Sequence, residues 1–148
     1  MECISVFDML KVGVGPSSSH TLGPWRAAQR WIAELKAKET FQLVEKIHID
    51  LYGSLSLTGK GHATDIATLL GLCGHDPVTM DISLIETEIS AIKEKGILPL
   101  NKELDIPFNY ETDIKFNRKF LDFHPNGMIF RATLTNGKKC SSSFFSIG

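Results

Sequence analysis

The sequence predicts an α+β fold in which an antiparallel sheet carries its helices on one face. Three observations carry that reading. Apolar residues recur at helical spacing from Leu22 to Lys38, from Ala63 to Cys73 and from Ile85 to Gly96. They alternate with polar ones over Lys46 to Tyr52. The last third consists of short alternating runs punctuated by Asn126-Gly127 and Asn136-Gly137.

Each element has its own warrant. In the first helix Trp25, Ala28, Trp31, Ile32 and Leu35 share a face, while Arg26, Arg30, Glu34, Lys36 and Lys38 point elsewhere. Both tryptophans are expected in the core. In the strand that follows, Ile47, Ile49 and Leu51 lie on one face, with His48, Asp50 and Tyr52 on the other. His48 is expected on the solvent side or against a neighbouring strand. The second helix carries Ala63, Ile66, Ala67, Leu70 and Cys73 on its stripe and stops at Gly74-His75-Asp76-Pro77, which assigns His75 to a turn. Ser83-Leu84-Ile85-Glu86 has the pattern of a capping box, Ile85, Ile89 and Ile92 mark a buried stripe, and Gly96 stops the third helix. Pro99 and Pro107 make residues 97–112 connectors or edge strands. Ile114 and Phe116, Met128 to Leu134, and Lys139 to Ile147 then read as antiparallel strands.

Composition narrows the function classes. The chain has 148 residues, 43% apolar and 22% charged, enough for one domain with a real core, and it shows no internal repeat, low-complexity segment or second domain. A net charge of −1 without a concentrated basic face gives no reason to expect nucleic acid. No apolar run is long enough for a membrane span, and the N-terminus, with Glu2 and Asp8, lacks the features of a secretion signal, so the expectation is a cytoplasmic protein. Cys3, Cys73 and Cys140 are too scattered for a metal or redox motif and read as reduced, mostly buried thiols.

Three loops each hold a histidine. Gly13-Val14-Gly15-Pro16-Ser17-Ser18-Ser19-His20-Thr21 precedes the first helix and combines a tight turn, four hydroxyls and an imidazole at a helix N-terminus, where unpaired N–H groups welcome a carboxylate or phosphate. Ser19 or Thr21 as a simple N-cap with Pro24 in the first turn is the bland alternative. Gly53 to Gly61 is a second glycine-punctuated loop, with Lys60 able to bind a carboxylate and His62 at the strand-to-helix junction able to act as base or acid; a solvated lysine and a capping histidine are the structural alternatives. Asp65 suits the helix dipole as well as it suits chemistry. His124-Pro125-Asn126-Gly127 adds a rigid, titratable element that a hairpin does not require, whereas Asn136-Gly137 needs only a turn.

Gly15 to Thr21, then Tyr52-Gly53-Ser54-Leu55 with Gly59-Lys60-Gly61-His62-Ala63-Thr64-Asp65, then His124-Pro125-Asn126-Gly127-Met128, resemble in order the β domain of iron–sulfur-dependent L-serine dehydratase. Ser5-Val6-Phe7-Asp8-Met9 and Phe145-Ser146-Ile147-Gly148 resemble that domain's edges. The resemblance implies a single β domain over residues 1–148, similar to the allosteric substrate-binding domains of other enzymes. It implies that a [4Fe–4S] cluster sits in a partner α domain or subunit absent from this chain, where L-serine loses water and then ammonia to give pyruvate. On that basis His62, His124 and His20 are candidate catalytic residues. Ser17, Ser18, Ser19, Thr21, Lys60, Asn126 and Gly127 are candidates for holding substrate, and none of them is a metal ligand. The expected partners are the α domain, L-serine and further copies in a homo-oligomer, with no nucleic acid and no membrane. A regulatory serine-binding domain and a non-catalytic docking domain are the alternatives, and the isolated chain is expected to be folded but inactive.

Overall fold

A computed structural model describes residues 21–56, 64–117 and 127–145, with the side chain of Ser54 left aside. Three α-helices, α1 (Leu22–Ala37), α2 (Thr64–Leu72) and α3 (Ile85–Lys95), accompany six strands: β1 (Val44–Tyr52), β2 (Ile97–Leu100), β3 (Leu104–Pro107), β4 (Ile114–Asn117), β5 (Gly127–Leu134) and β6 (Lys139–Phe145). The α+β class read from the sequence is what forms. A four-stranded sheet runs in the order β4-β1-β5-β6, and β2-β3 make a separate hairpin.

One face of the sheet is apolar because Ile47, Ile49, Leu51, Met128, Phe130, Ala132 and Ile114 all point the same way. α1 lies on that face. Its Trp31 ring stacks on Phe130 at 4.8 Å, and Phe144 of β6 meets Phe130 edge-on at 5.6 Å. α1 and α2 approach closely because residue 71 is glycine: a Cβ there would stand 2.6 Å from the Trp25 carbonyl oxygen and 2.8 Å from the Ala28 Cβ. The Trp25 indole N–H, buried with the rest of that ring, donates to the His75 carbonyl at 2.9 Å.

Three local expectations are corrected. Ile114 and Phe116 do not form a hairpin with Met128–Leu134. β4 runs parallel to β1, which separates it from β5, so the sheet is mixed and Gly127 is the first residue of β5, opposite Phe145. The reason is topological: the excursion through α2, α3 and the β2-β3 hairpin returns the chain to the end where β1 starts. The capping box at Ser83 is not made either. Asp81 caps a short 3₁₀ turn over Ile82–Leu84 by accepting from the Ser83 N–H at 3.0 Å and the Ser83 hydroxyl at 2.7 Å, and α3 follows directly. His75 is more than a turn residue, since its Nε2 lies 2.6 Å from Glu88 Oε1 on α3 while its carbonyl holds Trp25. Gly96 ends α3 as expected, in the left-handed conformation at φ 65°.

Candidate functional site

The register of the sheet decides where the loops leave it. Tyr52, the last residue of β1, pairs with Asn117, the last residue of β4, and Leu51 pairs with Met128 near the start of β5. The chain therefore leaves β4 and re-enters β5 on either side of the end of β1. Beyond Tyr52 it turns at Gly53 (φ 62°) into a 3₁₀ turn over Gly53–Ser56, where the Ser56 hydroxyl donates to the Gly53 carbonyl at 2.8 Å. Both ends of segment 118–126 and the first end of segment 57–63 thus belong to one end of the sheet.

The first loop ends at the same side. Past α1 the chain reverses over Lys38–Thr40, and Leu43 accepts from the Thr135 N–H at the far end of β5. Trp31 sits over Phe130, which is opposite Ile49. α1 consequently runs antiparallel to β1. At a rise of about 1.5 Å per helical residue, Thr21 lies roughly 15 Å beyond Trp31 towards the end where β1 finishes. Thr21 is fully buried, its carbonyl accepts the first helical bond from Trp25 at 3.1 Å, and its hydroxyl has no hydrogen-bond partner among the described residues. It occupies the N-cap position without capping.

At the start of α2, Asp65 is fully buried. One carboxylate oxygen accepts from the Ile66 N–H at 3.0 Å, and the other accepts the Tyr110 hydroxyl. Tyr110 is itself buried beneath the Lys93 ammonium, 4.4 Å from the ring centre. Behind the loop-bearing end, Asp50 is buried although it lies on the outer face, because Arg131 forms an ion pair with it, Asn117 Nδ2 donates to it at 3.1 Å and His48 Nε2 is 3.4 Å away. Asn117 also donates to the Leu51 carbonyl at 3.3 Å, which ties the end of β4 to the end of β1. His48 lies on the outer face, in register with Arg131 of β5, as the alternation predicts. A solvent-open concavity of about 690 Å³, lined by Lys46, His48, Arg131 and Lys139 among others, lies on the outer face, away from the loop ends.

Of the sequence-nominated residues, Thr21 and Gly127 lie within the described structure. Ser17, Ser18, Ser19, His20, Lys60, His62, His124 and Asn126 lie outside it. What the structure brings to one end is Thr21, Ser56, Asn117 and Gly127, described residues that flank the segments carrying them. Sequence reasoning missed Tyr110 and the anchoring of Asn117 on Asp50, both contacts between residues more than forty positions apart. No local pattern signals such pairs.

A family model described as serine dehydratase beta chain matches residues 5–148. The chain belongs to that family. As a serine dehydratase beta chain it is similar to L-serine dehydratase of Haemophilus influenzae, 44% identical over 98% of this chain and 32% of the relative. It is also similar to L-serine dehydratase 1 of Escherichia coli, at 42% identity, and to L-serine dehydratase of Streptomyces coelicolor, at 40%, each again over 98% of this chain and 32% of the relative. The chain therefore spans about a third of the length of these relatives.

The beta chain's described cysteines do not fit the cluster that the resemblance implies. Cys73 is buried, and burial first, with the nearby Glu88 carboxylate second, pushes its thiol up to about 12, far from the thiolate an iron needs. Cys140 stands on β6 with its thiol also raised by burial. Among the described residues no three His, Cys, Asp or Glu side chains gather as a metal site. No helix among them is long and apolar enough to cross a membrane.

Proposed function

We propose that the chain is the β part of an enzyme that converts L-serine to pyruvate and ammonia, and that it supplies three loops to an active site completed by an α domain or subunit. The observation that supports this is the common end of the sheet from which the loops leave: Thr21 opens α1 there, Tyr52 ends β1, and Asn117 and Gly127 flank it. The hydroxyls of Ser17, Ser18, Ser19 and Thr21 and the N–H groups at the start of α1 suit the substrate carboxylate, with Lys60 and the Asn126-Gly127 backbone as further donors. His62, His124 and His20 are the groups that move protons: one takes the poorly acidic α-proton and another delivers a proton to the departing hydroxyl. Loss of water leaves an enamine, whose tautomer is hydrolysed to pyruvate and ammonia. The [4Fe–4S] cluster is held outside this chain, and the complete assembly is a cytoplasmic homo-oligomer.

Alanine substitution in the complete enzyme tests the assignment. His62→Ala and His124→Ala should each lower kcat by roughly 10²-fold or more, with His48→Ala as the control, because His48 lies on the outer face beside Asp50. Ser17→Ala, Ser18→Ala and Ser19→Ala, made singly, should include at least one that raises KM by about 10-fold or more at nearly unchanged Tm, the loss of a hydrogen bond to a charged group. Equal small effects at every position would leave a docking domain as the better account. Serine binding to the chain with turnover untouched by all of these changes would favour a regulatory site.

A further inference from the structure

Strand β6 closes one side of the sheet, and among the described residues no strand pairs with its outer edge. Its pairing with β5 is regular over seven successive positions, without a bulge. The Leu134 N–H donates to the Lys138 carbonyl at 2.8 Å, so positions 134 and 138 form a hydrogen-bonded pair, and by alternation so do 132 with 140 and 130 with 142. The N–H and C=O groups of Ser141 and Ser143 consequently point away from the sheet, and both residues are exposed.

Edges of this kind are normally guarded by proline, a bulge, a charge in mid-strand or extreme shortness. The opposite edge, β4, is only four residues long and carries exposed Lys115. β6 has seven residues, no proline, and Lys139 only at its beginning. Its sequence is also compatible with its own image. About a two-fold axis through Ser142, each Ser141 meets Ser143 of the other copy, which exchanges four main-chain hydrogen bonds. Lys139 then falls opposite position 145 rather than opposite another lysine. On the helix-covered face Cys140 falls opposite Phe144, both half-buried, and so extends the aromatic layer of Phe130 and Phe144 across the junction.

We infer that β6 is a homodimerisation edge, through which two copies of this chain pair antiparallel about Ser142 to form one continuous eight-stranded sheet. This deepens the homo-oligomer part of the proposed function and is independent of the serine chemistry. The test uses the intact enzyme. Ser143→Pro removes an N–H that β5 does not use, in an edge position where proline is tolerated. It should raise the dimer dissociation constant about 10-fold or more by light scattering, with Tm little changed. Ser142→Cys places two thiols at a non-hydrogen-bonded antiparallel pair, with Cα atoms about 4.5 Å apart and within disulfide reach. Diamide should then give a covalent dimer that dithiothreitol reverses, while Lys115→Cys on the other edge gives none. A monomeric wild type overturns the inference, and so does a Ser142→Cys enzyme that does not cross-link. If Ser143→Pro fails to fold, the cross-link decides alone. Absence of serine turnover in the wild-type enzyme, with the cross-link formed in the variant, would count against the proposed function and leave this interface standing.

Discussion

At the scale of single residues, burial separates side chains that hold the fold from those free to act. Cys73 is the clearest case. Its thiol is raised from 9.0 to about 12 by burial, so the folded state favours the neutral thiol. That contribution to stability is present below the unfolded value of 9.0 and is lost as pH rises through the folded value. In the native protein Cys73 should resist a thiol reagent at pH 8 and react only on unfolding, as labelling followed by mass spectrometry reads. Tyr110 and Asp65 show the same logic for a polar pair. Tyr110→Phe takes a donor from a fully buried carboxylate and should cost about 1–3 kcal/mol in denaturant unfolding. The burial of Cys73 was legible, because the residue continues the apolar stripe of α2, but the Tyr110–Asp65 pair was not. The periodicity of α2 placed Asp65 in a first turn, but its partner lies 45 residues on, across an intervening helix and hairpin.

Elements were legible where their period was strong. α1, β1 and α2 form almost at the expected limits because Trp25, Ala28, Trp31 and Leu35, or Ile47, Ile49 and Leu51, leave only one face that can be buried. The hairpin at Asn136-Gly137 forms as read, with Gly137 at φ 85° and the Asn136 side chain accepting from the Lys138 N–H at 2.9 Å. The misreadings have a common cause. Caps and strand partners depend on which neighbour arrives first in space, so Asp81 displaced Ser83 as the cap and β1 displaced β5 as the neighbour of β4. The Ser83 hydroxyl and N–H hold the Asp81 carboxyl below its usual 3.8, so its stabilising effect is present above that value and fades as pH falls through the folded value. Asp81→Ala should therefore lower Tm at pH 7 and converge with wild type in acid, as followed by circular dichroism. Contact between α1 and α2 is more exacting. Gly71→Ala drives a methyl group against the Trp25 backbone, which cannot rotate away, and should cost about 1–3 kcal/mol.

For the molecule as a whole, the question is how a two-layer frame fixes loops that arise more than a hundred residues apart. The sheet order answers it: with β1 between β4 and β5, whatever fixes those three strand ends also fixes both ends of segment 118–126, which carries His124. Asp50 is the fastener. It is buried in β1, takes an ion pair from Arg131 on β5, and accepts from Asn117 at the last position of β4, while Asn117 reaches the Leu51 carbonyl as well. Removing either donor acts on a different side of the loop. Asn117→Ala frees the β4 end; Arg131→Ala leaves the Asp50 carboxylate without its cation and loosens β5 from β1 at its middle. If loop position matters to catalysis, Asn117→Ala should lower kcat more than its effect on stability explains, since among the described residues its side chain bonds the Asp50 carboxylate and the Leu51 carbonyl at the strand end. Arg131→Ala should show the opposite balance, with about 1–3 kcal/mol of stability lost to the underpaired buried carboxylate and a smaller change in kcat. Paired denaturant melts and steady-state kinetics on the complete enzyme would decide it. Asn117→Ala with wild-type kcat would mean that the loop finds its place without this anchor of the strand end.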